Sequence, residues 1–253
     1  NRSGNSTSSK NAAQYLNKAA DLCRAAGFKK IRFRGDTDFS QTKYLDGWDD
    51  EGITYVFGIN AMPNLVEMAE SLPETAYTDL MRQPRYTIRT EPRSKPANVK
   101  EQIIKERGYK NIRLQSEQTA EIDYRPVKCR KSYRVVVLRK NLSVEKGENV
   151  LFDDIRYFFY ITNDRKTSRA DIVGDANNRC NQENLIEQLK NGVRAMGMPV
   201  DNLVSNWAYM VMASLAWNLK AWYALLLPTY GRWHKKHKQE KRKVLLMEFK
   251  KFR

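Results

Sequence analysis

The sequence predicts an α/β protein, a mixed sheet flanked by helices and interrupted by a mostly β insertion. Three observations carry that prediction. Residues 12–59 follow a helix–strand–acidic turn–helix–strand rhythm, residues 109–163 are a succession of strand-like runs, and helical patterning returns after residue 175. On this reading the first part of the core spans 1–69, the β-rich insertion 70–150, and the second part of the core 151–253, ending in a basic tail.

Taken in order, residues 12–26 have a helical composition, with Leu16, Ala19, Ala20 and Cys23 on one side and Gly27 where a C-cap sits. Residues 29–34 (KKIRFR) alternate, Ile31 and Phe33 facing one way, and run into Gly35-Asp36-Thr37-Asp38-Phe39. A helix is expected over 41–51, with Trp48 as a packing residue. A buried strand is expected over 53–59 (ITYVFGI) and a helix over 64–69. Residues 78–100 are rich in Pro and Arg, including Arg82, Arg85, Arg89 and Arg93, and read as an irregular crossing segment. A short helix at 99–108 precedes the strand runs, of which 135–138 and 157–161 are the clearest, with a turn at 145–149. Further on, Leu185, Ile186 and Leu189 form an apolar stripe on a helix. Asp201 is the expected N-cap of a long helix that Pro228 ends, with Trp207, Trp217 and Trp222 in its core.

The charge balance bounds the partner. Lys and Arg number 45 against 29 Asp and Glu, a net charge of +16 in 253 residues. Such an excess favours a polyanion, nucleic acid before membrane surface, through phosphate neutralisation. A mean hydropathy of −0.70 argues against a membrane protein. The longest apolar stretch, 207–228, is broken by Asn218 and Lys220 and reads as a core helix. Three widely spaced cysteines (Cys23, Cys129, Cys180) and two histidines (His234, His237) offer no zinc or disulfide framework, which fits a reducing cytoplasm. The chain begins with Asn1 rather than Met, and a fragment is the expectation.

Two carboxylates stand where chemistry is feasible. Asp36 follows a strand directly, and Glu183 lies on a later helix with Arg179 four residues before it and Lys190 seven after, so the three can share a helical face. By itself that face fits a solvated ion-pair ladder before a phosphate-binding one, and Asp38 competes with Asp36. Two-metal phosphoryl transfer needs hard carboxylate oxygens and no histidine, cysteine or side-chain nucleophile. To share one metal cluster, Asp36 and Glu183 must approach within roughly 8 Å.

The segment IRFRGDTDFSQTKYLDGWDDEGITYVFGIN resembles the second-aspartate region of insertion-sequence DDE transposases, and RCNQENLIEQLKNG resembles their C-terminal signature, Tyr-x2-Arg-x3-Glu-x6-Lys. Arg179, Glu183 and Lys190 match that spacing, and SNWAYMVMASLAWNLKAW is similar to the family's closing helix. The resemblance implies an RNase H-like core with a β-rich insertion between the second Asp and the Glu. It implies Mg2+- or Mn2+-dependent cleavage and joining of transposon ends, with two ions in the complete protein. Asp36 and Glu183 are then the catalytic metal ligands, and Arg179, Lys190 and Arg34 the expected DNA contacts. Double-stranded DNA is the implied partner, with a homodimer assembling on it in the bacterial cytoplasm at the nucleoid.

Two positions depart from the pattern. Ala176 occupies the place of the signature Tyr. The first aspartate of the triad is expected upstream of Asn1, so this chain alone is expected to be inactive or nearly so. A non-catalytic, basic DNA-binding remnant is the rival expectation, and a basic structural protein a third.

Overall fold

The structure, a computed structural model, describes residues 7, 9–82, 98–146, 149–178, 185–247 and 251. The chain divides into two compact units, one spanning Thr7–Asn177 and the other formed mainly by Asn178–Arg253.

In the first unit the strand-forming runs become β1 (Arg32–Gly35), β2 (Thr54–Ile59), β3 (Thr78–Asp79), β4 (Lys110–Tyr124), β5 (Tyr133–Lys146) and β6 (Asn149–Thr162). They make one six-stranded mixed sheet in the order β1-β2-β6-β5-β4-β3. β1 and β2 are parallel, and every other pairing is antiparallel. The strands expected in an insertion therefore continue the sheet begun by β1 and β2. Helices α1 (Ala12–Ala25), α2 (Leu45–Asp50), α3 (Pro63–Glu70), α4 (Val99–Glu106) and α5 (Arg169–Asn177) accompany it. Gly27, at φ +86°, ends α1 as expected, with Gly27 N–H donating to Arg24 O and Phe28 N–H to Cys23 O.

Alternation decides which residues face which layer. Phe33, Tyr55, Phe57, Val135, Val137, Phe159 and Ile161 join Leu45, Trp48, Leu65 and Ala20 in the main core. Val56, Val136 and Leu138 point the other way, onto Ile172, Val173 and Ala176 of α5. Burial on both faces explains why β2 reads as a nearly unbroken apolar run. Trp48 is the centre of the main core. Its ring meets Phe33 edge-on at 5.3 Å and lies 5.7 Å from Phe57, and its indole N–H donates to Asn17 Oδ1 at 2.7 Å. It packs as expected.

Helix α2 also clamps the loop between β4 and β5. Asp46 accepts from Arg130 N–H (2.6 Å), Lys131 N–H (3.4 Å) and the Tyr133 hydroxyl (2.6 Å). Asp49 accepts from Lys131 Nζ at 2.6 Å and Asn163 Nδ2 at 2.9 Å. Burial raises the pKa of each carboxyl, but the donors outweigh it and both lie below the usual aspartate value. Arg82, from the basic crossing segment, is engaged in a bidentate pair with Glu117 (2.6 and 2.7 Å). With Lys140 at 3.0 Å, that pair overcomes burial and brings the Glu117 carboxyl down to about 2.

In the second unit, α6 (Leu203–Leu226) and α7 (His234–Leu246) follow a π-wound turn at Gln188–Gly192. The N-cap of α6 is Asn202 rather than Asp201. Its Oδ1 accepts from Val204 N–H (2.9 Å) and Ser205 N–H (3.1 Å), from an extended backbone that suits a cap. Leu227 is extended before Pro228, as a residue preceding proline tends to be. The expected burial of the tryptophans is only partly met. Trp217 is half-buried, whereas Trp207 and Trp222 are 57% and 58% exposed. α6 instead buries Asn206, Ala213, Lys220 and Ala224, one narrow face of a helix that is apolar nearly all round.

Replacing Trp48 by Ala should cost about 3–5 kcal/mol, read from the urea unfolding midpoint. The depressed Asp46 and Asp49 carboxyls contribute stability that is complete above the unfolded aspartate pKa of about 3.9 and lost as pH falls through their lower folded values. Stability measured between about pH 5 and pH 2 should therefore fall less steeply in Asp46→Asn than in the natural protein.

Candidate active site

The site is built at the carboxyl end of β1. Arg32 and Arg34 pair with Thr54 and Val56 of β2, on the α5 side of the sheet, while Phe33 and Gly35 face the main core. The chain then turns sharply through Asp36 into a 3-10 turn, Thr37–Phe39. Asp36 Oδ1 accepts the Asp38 N–H at 3.1 Å, Phe39 N–H donates to Asp36 O at 3.2 Å, and the Ser40 hydroxyl donates to Thr37 O at 2.8 Å. Asp36 is half-buried and Asp38 exposed. Of the two competing acids, Asp36 is the one held against the strand end.

Two glycines make room for this turn. A Cβ at Gly35 would stand 2.8 Å from Phe39 Cβ and 3.1 Å from the Phe57 ring. At Gly58 it would stand 3.1 Å from Thr37 N and 3.4 Å from Asp36 C. The backbone carrying Asp36 thus lies directly on β2, at the carboxyl ends of two parallel strands, where open α/β sheets place their ligands.

Arg34, expected at DNA, donates from Nη1 to Asp175 O at 3.1 Å, near the C-terminal end of α5. A cation suits that end of a helix. Arg32 Nη2 lies 3.0 Å from Asp175 Oδ2 and 3.6 Å from Asp164 Oδ2. Asp164 in turn accepts from the Lys166 and Thr167 N–H groups and the Thr167 hydroxyl, and Arg134 donates to the carbonyls of Asp164 and Thr167. Burial raises the Asp164 pKa, but these donors and Arg32 bring it below the usual range. The approach to α5 and its far end are both pinned to the sheet. Neither Arg32 nor Asp175 was marked by the sequence, because each is one charge among many until the fold pairs them.

Glu183 and Arg179 lie outside the described residues. Lys190 is described, exposed, on the π-wound turn. There Val193 N–H donates to Gln188 O at 3.1 Å and Ala195 N–H to Leu189 O at 2.8 Å. The α-helical phase that put Lys190 on the face of Glu183 does not continue through this turn. Nor is the apolar stripe as expected. Ile186 is 44% exposed, Leu185 and Leu189 are half-buried, and Gln188 is buried. Its Oε1 accepts the Trp217 indole N–H at 3.0 Å and Lys220 Nζ at 2.7 Å.

Carboxylate oxygens suit Mg2+ or Mn2+, and Asp36 presents a carboxylate at a strand end. Among the described residues no group of three or more His, Cys, Asp or Glu is placed to hold a metal ion. Cys129 is held as a buried thiol rather than an activated one. Burial pushes its thiol up to about 11, and its Sγ donates to Thr42 O at 3.0 Å. No described helix is long and apolar enough to cross a membrane.

No curated protein matches the chain. A family model described as transposase DDE domain group 1 matches residues 1–246, a span that includes Asp36 on its strand-end turn, both glycines beneath that turn, and the Arg179–Glu183–Lys190 signature. The mixed six-stranded sheet flanked by helices is consistent with such a domain, and the chain belongs to the DDE transposase domain family.

Proposed function

We propose that this chain is the catalytic domain of a DNA transposase, cleaving and joining DNA strands at transposon ends by metal-dependent phosphoryl transfer. Asp36 and Glu183 are the carboxylates of this chain that hold the divalent ions, Mg2+ or Mn2+. Arg179 and Lys190 neutralise terminal phosphates, and Arg34 borders the site with one N–H held by Asp175. The observation that carries the reading is the seating of Asp36. A half-buried carboxylate on a turn packed against Gly58 is oriented before any ligand arrives.

When bound, such ions supply Lewis-acid stabilisation of the charge that develops on the phosphoryl oxygens. The chain's own part is positional and electrostatic. The Asp38 N–H fixes one oxygen of Asp36, and Arg179 and Lys190 offset phosphate charge. Arg32 and Arg34 tie α5 to β1 just before the chain enters the segment that carries Glu183. The β-rich stretch 70–150 then separates the aspartate and glutamate parts of the catalytic residue set. The family's triad calls for a third carboxylate beside these two. Joining two transposon ends calls for a homodimer on DNA, working in the cytoplasm at the nucleoid.

Mn2+ titration followed by electron paramagnetic resonance, with a DNA duplex present, tests the assignment. Asp36→Asn and Glu183→Gln should each weaken Mn2+ binding by at least the roughly 10-fold that loss of an outer-shell partner costs, with DNA affinity retained and Asp38→Asn unchanged. Equal Mn2+ affinity in all four proteins, with DNA still bound, would make the chain a non-catalytic DNA-binding remnant.

A further inference from the structure

We propose that the outer face of α7 is a phosphate-backbone docking surface for duplex DNA, formed by Lys235, Lys236, Lys238, Arg242 and Lys243. The proposal rests on the DNA reading above and assigns a surface to it. At 100° per residue these five side chains fall within one arc of about 160°, along roughly 12 Å of helix. All five are exposed. His237, Lys241, Val244 and Leu245 occupy the opposite arc and are half-buried. Glu240, the helix's only acid, lies at the border of the basic arc.

A lysine-rich helix is ordinarily a solvated one, and its cations are usually mobile. This helix is anchored along its inner face. Lys241 Nζ donates to Leu225 O at 2.6 Å, in the last turn of α6, and Lys220 Nζ, from within α6, donates to Met247 O just past the end of α7. The buried Lys220 ammonium also donates to Gln188 Oε1, in the turn that carries Lys190. Two cations are thus spent on docking, and five are left on the outside of a helix whose backbone is fixed. A pre-organised row of cations matches the regular charge of a duplex, one phosphate per 3.4 Å of axis on each strand by the usual B-form geometry (about 3.4 Å). Its contacts carry no sequence information, so the surface sets affinity and register rather than site choice.

The test compares the full chain with the triple variant Lys235→Gln, Lys238→Gln, Arg242→Gln on a random-sequence 30-mer duplex (about three helical turns, at 10–10.5 bp each), across a salt series. The slope of log K against log salt should fall in magnitude by about 2–3, close to 0.9 for each phosphate contact removed. Far-UV circular dichroism checks that helix content is kept. Glu240→Gln, which removes a charge without touching the inner face, should tighten binding. An unchanged slope in the triple variant, with the natural chain binding DNA salt-dependently, overturns the docking surface and leaves the DNA reading intact. Absence of salt-dependent DNA binding by the natural chain overturns the DNA reading itself. Binding to phosphatidylserine vesicles that the triple substitution abolishes, with DNA binding untouched, would assign the stripe to a membrane surface and overturn the proposal.

Discussion

The backbone of the turn that carries Asp36 rests on Gly58, where a Cβ would stand 3.1 Å from Thr37 N and the turn would have to give way. That single close approach fixes where the acid stands relative to the sheet. It depends in turn on β2 keeping its register, because a slip of one residue would send Tyr55 and Phe57 to the α5 side and Val56 into the aromatic core. Both faces of β2 are buried, so both cores resist the slip. Position 36 is therefore held by the packing of the whole first unit as well as by the bonds within its own turn.

The net positive charge is unevenly used. In the first unit many cations are consumed internally. Arg82 and Lys140 meet Glu117, Arg139 meets Glu74, Lys131 meets Asp49 and Asp50, and Arg32 meets Asp164 and Asp175. Several of these pairs are exposed, and their gain is modest. What they do is specify which loop meets which helix. α7 has the opposite character, with six Lys or Arg and a single Glu in 13 residues. Composition reports the sum of these two situations and cannot separate structural cations from those left for a partner.

The parts of the fold legible in the sequence are those where a local pattern and the tertiary environment agree. α1 with Gly27, the alternation of β1, the apolar run of β2 and the break at Pro228 all fall where local chemistry puts them. The place of Asp36 on a turn directly after β1 was legible for the same reason, since an acid after a strand needs no distant partner to be noticed. The bond that Arg34 makes to Asp175 O was not, because only the packing of α5 on the sheet, 141 residues away, supplies that carbonyl. The turn after Glu187 escaped for a further reason. A helical wheel assumes constant winding, and the π turn at Gln188–Gly192 breaks it. Gln188 takes the interior place that Ile186 was expected to fill, because Trp217 and Lys220 offer two donors to its side-chain oxygen.

Lys220 shows what such a polar interior does for the second unit. Burial lowers its pKa, and among the described residues it forms no ion pair with a carboxylate, so its ammonium is held by oxygen dipoles instead. The Trp217 ring, 5.9 Å away, adds a weak cation–π contribution. An apolar side chain of equal length would avoid the desolvation penalty and still fill the space. It would also remove a donor from Met247 O and from Gln188 Oε1, two acceptors on separate elements. The lysine is thus better understood as a specifier than as a stabiliser. By bonding the end of α7 and the π turn at once, it sets the basic helix and the turn bearing Lys190 in one arrangement, which apolar packing, being non-directional, would leave free to slide.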